Sequence, residues 1–371
     1  MKLTLFLSLA ATVFLQGKSY VLILVDDLGY MDIGAYNPKS FYETPNIDRL
    51  AKSGLKFTDG YAANPVCSPT RFGIQTGRYP TRKDCTNFFS GRRGGKFACA
   101  PLHDRLDHDE TTLAEALKTR GYSTFFAGKW HLGPSEEFWP TKHGYDVNAG
   151  GFKAGGPYGG KKYFSPYGNP RLSDGPDGEH LPDRLATDTC KFMEANKDKP
   201  FFVYLAHHAP HAPVNSRDST RKEIKNRYQA CVYDLDASVD LVLAKIKELG
   251  IANNTLIIYT SDNGGSGSQK PLRGEKGMYY EGGIREPMIA WWPGVIEAGS
   301  SCSAHVMQID YFPTFLDLAG VEKIEKELDG ESLTPLLKQS GELKRTSLFW
   351  HMPGYLDRPK KGARDEHFRT R

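Results

Sequence analysis

Four short apolar runs recur along the chain, VLILV at 21–25, YSTFF at 122–126, FFVYL at 201–205 and TLIIY at 255–259, with helical patterns between them. This alternation constrains the fold more than any other feature. Each run is bounded by polar or glycine-containing turns and is apolar at successive positions, the pattern of a strand buried on both faces. Strands separated by helices pair in parallel, so the chain is expected to be α/β with a buried parallel sheet. The clearest helix is expected from about Ser219 to Leu249, where Ile224, Tyr228, Cys231, Leu235, Val239, Val242, Ile246 and Leu249 recur at three- and four-residue steps before Gly250 ends it.

The flanks of this pattern suggest the domain organisation. One lysine precedes a 12-residue apolar run, Thr4 to Leu15, with Gly17 as a cleavage position; residues 1–17 therefore read as a signal peptide, too short to span a bilayer. An exported protein follows: periplasmic or extracellular from a bacterium, secretory or lysosomal from a eukaryote. Asn253 in NNT matters only in the latter case. Residues 18–320 would form the catalytic domain. After Gly320 the elements shorten and a basic tail follows, so 321–371 reads as the start of a small C-terminal α+β subdomain, incomplete where the sequence stops. Residues 149–180, rich in Gly, Pro, Tyr and Lys, read as a long surface excursion. The six cysteines are too sparse for a disulfide framework, and Cys85 and Cys99, which flank one loop, are the expected pair. A net charge of +4 without a long basic run gives no sign of nucleic acid.

Ligands of open α/β sheets collect beyond the carboxyl ends of the strands. There VLILV is followed by Asp26 and Asp27, and TLIIYTS by Asp262 and Asn263. Three carboxylates and an amide, all oxygen donors, suit a hard cation such as calcium or magnesium. Either pair alone is equally a turn or a strand end; at equivalent strand ends the two together favour a metal. In CSPTRFGIQTGR, residues 67–78, Ser68 is placed to cap a helix and Pro69 to enter its first turn, leaving Cys67 just outside the helix N-terminus. Backbone N–H groups there favour an anion, and Arg71 adds a fixed positive charge. An ordinary buried thiol is the bland alternative.

CSPTR resembles the cysteine form of the sulfatase signature. VDDLGYMDIG, TPNIDRLAKSGLKFTDGYA, TGRYPTR, GYSTFFAGKWHLG, HHAPHAP, YTSDNGG, LRGEKGMYYEGGIREP and DYFPTFLDLAG resemble further segments of that family in its order, over most of 21–335. The resemblance is to type I, formylglycine-dependent sulfatases, and within them to arylsulfatases and galactosamine-6-sulfatases. It implies an alkaline-phosphatase-like fold, a large mixed, mostly parallel β-sheet sandwiched by helices. It also implies a sulfatase that cleaves sulfate monoesters, on a sulfated carbohydrate, through a covalent sulfoenzyme. Cys67, oxidised to formylglycine by a dedicated maturation enzyme, would be the nucleophile. Asp26, Asp27, Asp262, Asn263 and the oxidised Cys67 would hold one Ca2+, or Mg2+. Arg71 would hold the formylglycine, Lys129 would bridge it to sulfate, and His131 would act as base on its second hydroxyl. His211 and Lys276 would bind sulfate oxygens and face the leaving group. His207 and His208 miss the motif position and read as structural or peripheral.

The sequence departs from the family in FGIQ, where Phe72 and Gln75 stand in place of smaller or more apolar residues, so repacking around the signature helix is expected. The loop TRKDCTNFFSGRRGGKFACAP carries Arg82, Lys83, Arg92, Arg93 and Lys96, suited to anionic sugars but equally to a solvated basic loop. Two rival functions share these residues: a phosphodiester or phosphonate hydrolase on the same fold, against which the intact CSPTR argues, and a silent calcium-dependent glycan-binding protein. No partner beyond a sulfated glycan and the maturation enzyme is implied, and no membrane insertion.

Overall fold

A computed structural model describes residues 17–91, 98–322 and 324–356. All but the last residue of the expected signal peptide, and Arg92, Arg93 and Lys96, lie outside the described residues. In chain order the described strands and α-helices are β1 (Ser19–Val25), α1 (Pro45–Lys52), β2 (Leu55–Phe57), β3 (Gly60–Tyr61), α2 (Cys67–Thr76), α3 (Leu113–Lys118), β4 (Ser123–Gly128), β5 (Val147–Ala149), α4 (Leu181–Asn196), β6 (Phe201–Ala206), α5 (Asp218–Glu223), α6 (Arg227–Glu248), β7 (Thr255–Ser261), α7 (Glu281–Ile284), β8 (Met288–Trp291), β9 (Ser300–Cys302), β10 (Val306–Met307), α8 (Tyr311–Ala319) and α9 (Thr334–Leu337). An eight-stranded sheet runs β5-β4-β6-β1-β7-β8-β2-β9, and β3 pairs separately with β10. From β5 to β7 every pairing is parallel; β8 is antiparallel to both of its neighbours.

The apolar runs become the centre of this sheet because each is buried on both faces. β1 sends Tyr20, Leu22 and Leu24 into a core shared with Phe72 and Ile74 of α2, Leu113 and Leu117 of α3, and Phe312 and Phe315 of α8. Its alternate residues Val21, Ile23 and Val25 enter the opposite core with Ile47 of α1, Leu185 of α4 and Leu235 and Val239 of α6. At about 1.5–3 kcal/mol for each fully buried aliphatic side chain, this strand is a large contributor to stability.

Three expectations change in detail. The predicted helix from Ser219 to Leu249 is two helices, because Asn226 leaves the helical conformation to cap α6, its side chain accepting from the Gln229 N–H at 3.0 Å. Gly250 ends α6 in the left-handed conformation as expected (φ +69°). Cys85 and Cys99 do not pair: Cys85 is sealed in the core while Cys99 is exposed, and both are free thiols. Finally, the excursion between β5 and α4 is only partly on the surface, since Tyr163 and Tyr167 are buried within it. After Gly320 the described chain carries α9 and extended segments that return to the core through Leu333, Leu336, Leu337, Met352 and Tyr355.

Candidate active site

Strand register places the chemistry. Leu24 pairs with Ala206 and Val25 with Ser261, while Gly128 pairs with Ala206, so β1, β4, β6 and β7 end level with one another. The residues that follow are Asp26 and Asp27, Lys129, His207 to His211, and Asp262 and Asn263. Gly128 is required where β4 meets β6: its φ is +96°, and a Cβ would lie 1.9 Å from the Ala206 carbonyl oxygen. That approach lets the Lys129 N–H bond to the same carbonyl at 2.8 Å and aims Lys129 inward.

The side chains meet in one buried cluster. Lys129 Nζ donates to both Asp26 oxygens, at 2.9 and 2.8 Å, and Lys276 Nζ to both Asp27 oxygens, at 2.5 and 2.7 Å. Arg71 donates through Nε and Nη2 to Asp262 Oδ2 at 3.0 and 2.8 Å, and through Nη1 to the Lys129 carbonyl at 2.6 Å. His211 Nε2 lies 3.8 Å from Asp27 Oδ2, and Asn263 Nδ2 donates to Asp27 Oδ1 at 2.7 Å. Cys67 Sγ is 3.6 Å from His131 Nδ1. Every site residue expected from sequence is thus in the cluster. His207 and His208 are also buried beside it; the His208 carbonyl accepts from Tyr163 Oη at 2.9 Å, and His207 leaves both ring nitrogens without a partner.

The signature helix differs from expectation at its start. Cys67 is the first helical residue and Val66 the N-cap, because the Ser68 hydroxyl is taken by the Phe89 N–H at 3.1 Å and does not cap. Cys67 is therefore within the first turn, where N–H groups lack helical partners. Gln75, which departs from the family pattern, is buried and donates to Tyr145 Oη at 2.8 Å, so the departure is repacked with its hydrogen bond made. Arg82 and Lys83 of the basic loop bind Asp329 and Asp109.

Burial and charge oppose one another throughout. Burial pushes Asp262 up to about 6, with Asp26 adding to the rise and Arg71 opposing it. Burial raises Asp26 too, against Lys129. At Asp27 burial is outweighed by Lys276 and His211, which hold the carboxyl well below the usual range. Desolvation disfavours charge on Lys276, yet Asp27 more than compensates and keeps it cationic. Burial, with Lys129 and Arg71 adding, drives His131 well below its ordinary value; burial lowers His211 to about 4 despite Asp27. Both imidazoles are neutral at pH 7.

Backbone strain concentrates here. Asp27 and His131 have left-handed backbones, φ +67° and +57°, which cost about 1 kcal/mol or more each in a residue other than glycine. Several supports escaped the sequence reading. Ser266 Oγ donates to Asp27 Oδ2 at 2.9 Å, and Tyr163 Oη spans the His208 and His211 carbonyls. Gly155 lies so near that a Cβ would come 2.6 Å from the His131 ring. Ser266 follows the acidic strand end closely enough to have been suspected; Tyr163 and Gly155 sit in aperiodic chain and carried no signal.

The donor set fits a hard cation. Asp26, Asp27 and Asp262 are buried carboxylates, and Asn263 Oδ1 is a buried acceptor with no hydrogen-bond partner. Donor atoms of Asp26, Asp27 and His211 lie within 4.8 Å of one another. Carboxylates, cations and a thiol gathered at the strand ends of this sheet define an anion-processing centre on an alkaline-phosphatase-like fold. A family model described as "Sulfatase" matches residues 18–321, and one described as "N-sulphoglucosamine sulphohydrolase, C-terminal" matches 274–370. Among curated relatives, N-acetylgalactosamine-6-sulfatase of Sus scrofa is 36% identical over 391 residues, covering 96% of this chain and 72% of the relative. Arylsulfatase A of Homo sapiens is 35% identical, covering 95% and 74%. The solved structure of Ps i-CgsB in complex with k-i-k-neocarrahexaose is 32% identical with a TM-score of 0.75, covering 88% of this chain and 77% of that one. The chain belongs to the sulfatase family, and is accordingly a sulfuric ester hydrolase of a family that works with a metal ion and formylglycine.

Proposed function

We propose that this chain removes sulfate from a sulfated carbohydrate, using formylglycine made from Cys67, and that it does so as an exported enzyme. The observation that carries the reading is the position of Cys67 in the first turn of α2, 3.6 Å from a neutral His131 and backed by Arg71 and Lys129. Formylglycine, as its hydrate, would supply the nucleophilic hydroxyl and a second hydroxyl from which sulfate is later expelled. Asp26, Asp27, Asp262 and Asn263 would hold one calcium ion, which would supply positive charge next to the sulfate. The all-oxygen donors, three of them carboxylates, suit a hard cation such as calcium.

The remaining chemistry belongs to the chain's own side chains. Arg71, fixed on Asp262, and Lys129, fixed on Asp26, hold the nucleophile and the sulfate oxygens in place without needing to reorganise. Lys276 carries a proton at neutral pH because Asp27 keeps it charged, so it is the proton donor nearest to hand for the departing alcohol. His211, neutral and hydrogen-bonded through Nδ1 to the Ala212 carbonyl at 2.6 Å, orients that alcohol. His131, held neutral, accepts the proton released when sulfate is expelled.

The test is mass spectrometry of the Cys67 peptide from protein coexpressed with a formylglycine-generating enzyme, beside assays of sulfate release. An aldehyde at Cys67 and a loss of at least about 10⁴-fold in Cys67→Ala are expected. Full conversion without release of sulfate from any aryl or glycan sulfate would overturn the reading.

A further inference from the structure

We infer that Tyr158 is the platform on which the sugar ring of the substrate stacks, and so a specificity-determining residue; the inference rests on the carbohydrate reading above. The segment Gly155 to Tyr158 crosses directly over the catalytic cluster. At Gly155 its backbone lies against the His131 imidazole, where a Cβ would come within 2.6 Å of the ring. Three residues later the Tyr158 ring stands edge-on to His211, 6.2 Å between centroids at 67°. His211 belongs to the side of the site that faces the departing alcohol, which in a sulfated carbohydrate is the sugar.

Tyr158 is nevertheless 59% exposed, whereas Tyr163 and Tyr167 of the same excursion are buried. The fold does not use its ring as core. The ring is also held in place: the Tyr158 N–H bonds to the Gly156 carbonyl at 2.9 Å, and the phenol folds back over Gly156, where a Cβ would meet Cζ at 2.6 Å. A propped, solvent-facing aromatic ring at the rim of a buried anion site offers the apolar face that the C–H side of a sugar prefers, at little cost in side-chain freedom.

The experiment uses mature enzyme with its metal and a panel of sulfated galactose, N-acetylgalactosamine, glucosamine and fucose, with 4-nitrophenyl sulfate for comparison. For the best saccharide, Tyr158→Ala is expected to raise KM about five- to tenfold with kcat within about twofold of wild type. Inhibition by inorganic sulfate, which reaches only the anion site, should stay the same. Tyr158→Phe and Tyr158→Trp should restore KM, since they keep the ring. An unchanged KM in Tyr158→Ala, a fall in kcat with weakened sulfate inhibition, or a Phe variant as poor as Ala would each overturn the platform alone. A wild-type enzyme that cleaves 4-nitrophenyl sulfate but no saccharide would remove the carbohydrate reading and the platform with it.

Discussion

The residues of the proposed active site sit among glycines that leave room for them. Gly155 is the sharpest case, because its missing Cβ is the space the His131 imidazole occupies. Gly155→Ala would push a ring that must face Cys67, and since displacements of about 1 Å cost on the order of 10²-fold, kcat should fall by roughly that factor. Thermal unfolding should stay near wild type; a variant that keeps full kcat would show that the ring has room to move. The residues proposed for the chemistry were legible because each stands in a motif or directly after an apolar run: Asp26 and Asp27, Asp262 and Asn263, Cys67 and Arg71. Their supports were not. Tyr163 and Gly155 act across more than forty and more than twenty residues of chain respectively, and although Asp and His adopt the left-handed backbone more often than most residues, nothing marks Asp27 and His131 among the others of their type. The rejected Cys85–Cys99 pair shows the same blindness, since nearness in sequence said nothing of one thiol being in the core and the other in water.

At the scale of elements, the break between α5 and α6 was readable in principle. Asn226 with Gln229 three residues on is a helix-start signal, but the apolar periodicity runs through it and masks it. The break matters because Arg217, just ahead of α5, ties three elements together. It binds Asp183 in the first turn of α4, donating from Nε at 2.8 Å, and Asp234 of α6, at 3.1 Å from Nη1. Asp234 is fully buried, so Arg217→Ala removes its cationic partner, leaving a backbone N–H and the Thr220 hydroxyl, and should cost about 3 kcal/mol in urea unfolding at pH 7. A cost within experimental error would mean that the Arg217 backbone N–H, at 2.6 Å from Asp234, and the Thr220 hydroxyl, at 2.5 Å, suffice without the guanidinium. Asp183 gives the pH dependence. Burial raises it, but the His180 ring, 3.5 Å away, and the hydrogen-bonded Arg217 guanidinium outweigh burial and bring it down to about 2 from 3.8. Its folded value is below its unfolded one, so its stabilisation is complete above about pH 4 and is lost as pH falls through about 2. The deficit of Asp183→Asn relative to wild type, about 1–2 kcal/mol at pH 7, should therefore close over that window; a deficit constant from pH 7 to 2 would contradict it.

On the scale of the whole molecule, the sheet centre was legible and its edges were not. β1, β4, β6 and β7 follow from unbroken apolar runs, whereas β2, β5 and β9 have three residues each and take their pairing from tertiary contact. No helix of the described residues is long and apolar enough to cross a membrane. The site also has a charge balance that only the assembled fold reveals. Asp26, Asp27 and Asp262 face Arg71, Lys129 and Lys276, three against three. A divalent ion added to that set leaves it net positive, matched to an anionic ester. Calcium titrated into chelator-treated protein should then raise Tm, with stabilisation approaching about 2.7 kcal/mol at a hundredfold excess over Kd. Asn263→Ala should weaken that response; a Tm indifferent to calcium would argue against the proposed ligand set. The level strand ends have one more consequence. The residues proposed to break the bond follow hydrogen-bonded strand ends, while the ring proposed to meet the sugar rides on the chain between β5 and α4, which Tyr163 ties to the His208 and His211 carbonyls and Gly155 lays against the His131 ring. Appetite and machinery therefore share one segment: exchanging all of it between relatives would disturb the supports of His131 and His211, whereas replacing the Tyr158 ring alone can redirect the same hydrolysis to a different sugar.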